Sequence, residues 1–151
     1  MKEPNDTPCE FLTFTLSEQE YALDIMSVRE IRGWTKTTPM PHAPDFMRGV
    51  INLRGTVLPV IDLAVRLGLE KTETTERNVI IVVKHQDAVT GLLVDAVSDI
   101  ITLSNSDMQQ PPEVGLDTSS NTISSLSLYD ERMIRILQLG SIVVAATEIA
   151  A

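Results

Sequence analysis

Cysteine is almost absent from this chain of 151 residues: Cys9 stands alone, so no disulfide can form within it. Histidine is nearly as scarce, limited to His42 and His85. There is no Cys pair, no H-E-x-x-H, no Walker loop and no dinucleotide fingerprint. There is no G-x-S-x-G elbow, and the carboxylates show no D-x-D-x-D-G spacing. No metal, no cofactor and no catalytic residue are therefore expected, and both histidines read as surface residues. Positive charge is also short. Twelve Lys and Arg face 21 Asp and Glu, for a net charge of -9. That balance repels phosphate backbones and anionic lipid, which argues against nucleic-acid and membrane-surface partners. No apolar run approaches the ~18 residues of a transmembrane helix. The opening MKEPNDTPCE is polar and acidic, does not read as a signal peptide, and is expected to be a disordered arm over residues 1–9. The chain reads as cytoplasmic.

What is present is apolar and short-ranged. A hydrophobic fraction of 43 % is enough for a real core. Phe11-Leu12-Thr13-Phe14-Thr15-Leu16 alternates apolar and hydroxyl residues as a half-buried strand does. Tyr21 to Ile25 returns as its hairpin partner. Ser27-Val28-Arg29-Glu30 fits an S-x-x-E capping box, so a helical turn is expected there. Thr35 to Pro44 reads as a loop, and Pro44 to Arg48 as a single helical turn before Gly49. Val79 to Val83 is a continuous β-branched run suited to a strand buried on both faces, with Val89 to Val94 as its partner. Val97 to Leu103 and Met133 to Leu139 are further strands. Gln109 to Ser120 is a long loop, the segment around Ser125 and Ser127 a looser one, and a terminal helix starts near Gly140. Many short strands with turn signals about every ten residues point to small barrels rather than a parallel sheet.

The stretch Gly49 to Gly68, GVINLRGTVLPVIDLAVRLG, sets charges among apolar residues. Val50 to Leu53 and Thr56 to Ile61 are strands around an Arg54-Gly55 turn. Pro59 belongs on an edge or at a bulge, because it cannot donate to a ladder. Asp62 is placed to cap a short helix over Leu63 to Leu67. Glu30 has two readings: a local cap with Ser27, or a cross-strand partner for the guanidinium of Arg54. Arg54 also has two, since a hairpin-tip arginine is often simply solvated. Val28 and Ile31 either enter the core or form an apolar strip beside Glu30, where another protein could meet them. Trp34 reads as core or rim packing.

The ordered set E-F-L-T-F-T-L, Y-A-L-D-I-x-x-V-R-E-I-R-G, A-P-D-F-M-R-G-V-I-N-L-R-G-T-V-L-P-V-I-D-L and G-L-L-V-D-A-V-S-D-I closely resembles the CheW-like coupling proteins of bacterial chemotaxis. The resemblance runs from about Glu10 to Leu139. It implies a mainly β fold of two small, intertwined five-stranded src-homology-3-like barrels sharing a hydrophobic core, over residues 10–147 with a tail at 148–151. It implies no enzyme activity. It implies an adaptor, recruited to membrane-associated arrays, that joins the cytoplasmic tips of chemoreceptors to the regulatory domain of the histidine kinase CheA. By position, Val28, Glu30, Gly49 and Arg54 match places that the family ties to receptor coupling. Glu30 and Arg54 match a pair that the family joins as a salt bridge. Two other readings stand beside it: the same domain cut from a longer hybrid scaffold, and a small-molecule-binding β-barrel.

Overall fold

The computed structural model describes residues 7–110 and 122–143. Strands β1 (Cys9–Leu16) and β2 (Gln19–Asp24) form the opening hairpin. A middle block follows: β3 (Val28–Gly33), β4 (Met47–Leu53), β5 (Thr56–Asp62), the short helix α1 (Leu63–Arg66), β6 (Val79–His85) and β7 (Ala88–Val94). The last block is β8 (Ala96–Leu103), β9 (Met108–Gln109), β10 (Ile123–Tyr129) and β11 (Arg132–Leu137). Two sheets result. One has the order β8-β1-β2-β11-β10-β9 and the other β3-β6-β7-β5-β4. The chain thus leaves the first sheet after β2, builds the whole of the second, and returns. The two-residue β9 is a sixth strand where five were expected.

The core explains why these strands form. The second sheet wraps around Ile51, Leu53, Leu58, Val60, Ile80, Val82 and Leu93. The first encloses Phe11, Ala22, Ile101, Leu103, Ile134 and Ile136. Between the sheets lies a third and larger cluster, which includes Leu12, Phe14, Tyr21, Leu23, Ile81, Val83, Leu92 and Val94. β6 serves two of these cores. Side chains alternate across a strand, so Ile80 and Val82 fill the interior of the second sheet while Ile81 and Val83 face the first. Fully burying each such side chain stabilises by roughly 1.5–3 kcal/mol. That two-sided demand is what an unbroken run of Val and Ile satisfies. The small-molecule reading needs an empty barrel, and the interiors of both sheets are instead filled with side chains.

Several local expectations change. Ser27 starts no helix: the helical turn is the 3₁₀ segment Ile25–Ser27, whose Met26 amide donates to Asp24 Oδ1 (2.9 Å), and Glu30 lies on β3. Pro44 to Arg48 is a turn closed by the Met47 amide on the Pro44 carbonyl (3.0 Å), with β4 already under way at Met47. The serine segment expected as a loop is β10, pinned by Ser127 Oγ donating to the Asp107 carbonyl (2.9 Å). Pro59 sits inside a sheet rather than on its edge. Its partner Val50 spends both backbone groups on Thr38, and the ladder to β7 starts only at Val60, so no donor is missed. Cys9 is the first residue of β1 rather than part of a free arm, and residues 1–6 lie outside the described residues. Residues 139–143 are helical; Gln109, expected to open the long loop, ends β9, and the rest of that loop from 111 onward, with residues 144–151, also lies outside. His42 is exposed, but His85 is half-buried: a Cβ on Gly140 would stand 3.1 Å from its Nε2.

Candidate functional site

In the second sheet β3 and β4 are the two edges, four strand positions apart. Glu30 is on β3, and Arg54 is at the tip of the β4–β5 hairpin. Their side chains meet, with Arg54 Nη2 2.5 Å from Glu30 Oε1. The ion pair therefore bridges the open side of a curled sheet. Arg54 adopts φ +51° and Gly55 φ +87°, the left-handed pair that a two-residue hairpin of this twist requires. Asn52 Oδ1 accepts the Gly55 amide (2.9 Å) and holds the turn. A second arginine, Arg32, lies two residues along the same face of β3, with Nη1 3.4 Å from Glu30 Oε2. Glu30 is thus set between two guanidiniums. The Arg54 side chain is 71 % exposed, so the pair contributes little to folding. Its effect is to fix where two charges stand.

The hydrogen bond from Arg54 is the largest cause that holds the Glu30 carboxyl below its ordinary value of 4.5; desolvation opposes it, and the charge of Arg54 and the hydrogen bond and charge of Arg32 reinforce it. A depressed folded value means that the pair is complete above the ordinary carboxylate range and is lost only as pH falls through the depressed value. The Glu30 carboxyl carbon, followed by NMR, should titrate below 4.5, and in Arg54→Ala it should move up. A wild-type midpoint at or above 4.5 would show that the pair does not form in solution.

A register shift on β3 leaves Arg29 as an extra residue between Val28 and Glu30. Val28 and Ile31 pair with Val83 and Ile81, so they share the face that points toward the first sheet. Val28 is half-buried against the inter-sheet core, whereas Ile31 is 47 % exposed. Val28 thus joins the core and Ile31 alone is exposed, on the face of β3 opposite Glu30, which pairs with Val82. Trp34, just beyond β3, packs on the interior of the second sheet.

Gly49 does not join the pair. It is buried on β4 at φ +143°, and a Cβ there would overlap the backbone of Thr38, 2.7 Å from its carbonyl carbon. Thr38 lies on the loop over residues 34–46 and exchanges two backbone bonds of 2.9 Å with Val50. Gly49 is where that loop lies down on the sheet.

Asp62 is corrected more thoroughly. Its carboxylate makes no cap bond to α1. It is fully buried, accepts from Arg48 Nε (3.2 Å), from the Thr72 amide (3.0 Å) and from Thr72 Oγ1 (2.8 Å), and stands 3.1 Å from the charged Arg48 Nη2. Arg48 is the extra residue of a bulge between Met47 and Gly49, which turns its side chain toward Asp62. Arg48 Nη2 also donates to the Thr72 carbonyl. Sequence reasoning missed Arg48, Thr72 and Arg32. A signal existed for the first: a carboxylate within an apolar run needs a cation, and Arg48 was the basic residue at the other end of the same hairpin. Among the described residues no group of His, Cys, Asp and Glu is arranged to hold a metal ion. No described helix is long and apolar enough to cross a membrane.

Residues 10–146 match the family model described as the CheW-like domain. The probable chemotaxis protein CheW of Rhizobium etli is 48 % identical over 139 residues, which is 92 % of this chain and 90 % of the relative. The chemotaxis protein CheW of Rhizobium meliloti is 48 % identical over 133 residues, covering 88 % and 86 %. Among solved structures, the scaffolding protein TtCheW from Thermoanaerobacter tengcongensis superposes with a TM-score of 0.80 at 35 % identity, covering 87 % of this chain and 90 % of that one.

Proposed function

The chain belongs to the CheW-like domain family, a family of scaffold and adaptor proteins rather than enzymes, and from that premise we propose that it couples chemoreceptors to a histidine kinase in bacterial chemotaxis. The cytoplasmic tip of a receptor is an α-helical hairpin, and its apolar face docks on the strip of Val28 and Ile31. Such docking is helix-in-groove recognition, in which a few apolar anchors carry the affinity and flanking charges set the register. The Glu30–Arg54 pair supplies those charges, and Gly49 lets the adjoining loop lie close. The kinase CheA binds elsewhere, through its regulatory domain, so that one adaptor holds both partners in the array.

The observation that carries this reading is the ion pair itself. An exposed pair that closes a sheet across its two edges adds little stability, yet it fixes two charges on the edge strand whose other face carries Val28 and the exposed Ile31. Arg54→Ala should leave the thermal midpoint and kinase binding unchanged. It should weaken binding to a soluble receptor-tip fragment by roughly tenfold, the ordinary loss for an interface anchor. Unchanged receptor affinity in a folded, kinase-binding variant would remove Arg54 from the coupling surface.

A further inference from the structure

We infer that the buried Asp62–Arg48 ion pair is a positioning device: it sets the loop over residues 34–46, and through that loop the surface on which a receptor docks. The inference rests on the coupling role proposed above. The loop runs from the end of β3, two residues after Ile31, to the start of β4. Four bonds attach it to the residues around the ion pair. Thr37 Oγ1 donates to the Arg48 carbonyl (3.2 Å), the Asp62 amide to the Phe46 carbonyl (2.6 Å), and Thr38 and Val50 exchange a bond in each direction (2.9 Å). Two of these bonds use the backbones of Arg48 and Asp62 themselves. The side chains of the same two residues are locked to each other and to Thr72, on the connector that follows α1.

The bulge at Arg48 is the hinge of the arrangement. It re-aims one side chain into the protein and leaves Gly49 next in line, at the backbone angle where the loop can settle on it. A side-chain bond to Asp62 holds the bulge in one geometry. Remove the charge and the bulge is free to relax, with Thr37 and Thr38 moving with it. Asp62 is fully buried and cannot touch a receptor, so any effect it has on coupling passes through what it holds in place, the Thr72 connector and, by this inference, the loop.

Amide exchange in the 151-residue chain tests this, together with binding to a receptor-tip fragment and to the kinase regulatory domain. In Asp62→Asn, amides of residues 37–50 should speed up at least tenfold more than those of β6. Receptor affinity should fall about fivefold while kinase affinity holds. Thr37→Val cuts a single loop bond without touching the ion pair; it should loosen the loop to a smaller degree and leave β6 unchanged. Equal acceleration of the loop and β6 would mean that Asp62 only stabilises the fold, and the proposal is overturned. Loop exchange unchanged in both variants overturns it too, as does full receptor affinity with a loosened loop. A wild-type protein that binds no receptor fragment sinks the coupling reading instead, and the exchange measurement still decides whether Asp62 sets the loop.

Discussion

Asp62→Ala should destabilise the protein by about 3–5 kcal/mol, the usual cost of breaking a buried ion pair on one side. The cost comes from what is left behind. Arg48 keeps a guanidinium whose side chain is only 16 % exposed, and the Thr72 amide and hydroxyl lose their acceptor. Domains of this size hold about 5–15 kcal/mol in total, so a large share of the margin goes. The thermal midpoint should fall by roughly 6–20 °C, at about 2–4 °C per kcal/mol. The double variant Arg48→Ala with Asp62→Ala should lose clearly less than the sum of the two single changes, because no orphaned charge remains. Strict additivity would show that the two residues are not coupled.

Gly49→Ala comes second, and its origin is steric. At φ +143° an alanine is held where L side chains rarely go, which costs about 1–3 kcal/mol on its own. The new methyl also lands on the Thr38 backbone, so the loop must lift or β4 must bend. Both 2.9 Å bonds between Thr38 and Val50 are then at risk. The expected result is a folded but less stable protein with weakened receptor binding. Denaturant unfolding and the receptor-fragment assay read the two parts separately. A variant as stable as the wild type would mean that the loop accommodates the methyl without strain. Replacing Thr38 offers no relief, since the overlap is with its main chain.

Much of the sheet framework was legible because its residues answer to one local rule. Val79 to Val83 is apolar on both sides because both sides are core, and Phe11 to Leu16 is a strand as its alternation suggests, though buried on both faces rather than half-buried: Thr13 is inside too, its hydroxyl donating to the Asp99 carbonyl. The errors fall where tertiary partners overrule that rule. Ser27 and Glu30 have capping-box spacing, but the carboxylate finds Arg54 across the sheet instead of its own backbone. The serines of β10 read as loop, and one of them is buried because its hydroxyl reaches the Asp107 carbonyl. Asp62 does precede a helix, yet its side chain is claimed by residues 14 and 10 positions away. The Glu30–Arg54 pair was open to view only as one of two alternatives, and family resemblance rather than spacing singled it out. The Asp62–Arg48 pair needed the bulge, which no sequence period announces.

The order in which the chain visits its two sheets has a consequence for how the protein comes into being. The second sheet is drawn from one continuous segment, β3 to β7, whereas four of the six strands of the first, β8 to β11, follow Val94. A chain growing from its N-terminus holds every strand of the second sheet while β1 and β2, paired with each other, still lack β8 and β11. β1 and β2 carry Leu12, Phe14, Tyr21 and Leu23, which belong to the inter-sheet core, so the early hairpin can settle on the finished sheet and wait there. The last strands to be made then close the first sheet around that hairpin, and only with Leu137 and Leu139 does Val28 gain the whole of the core it packs against.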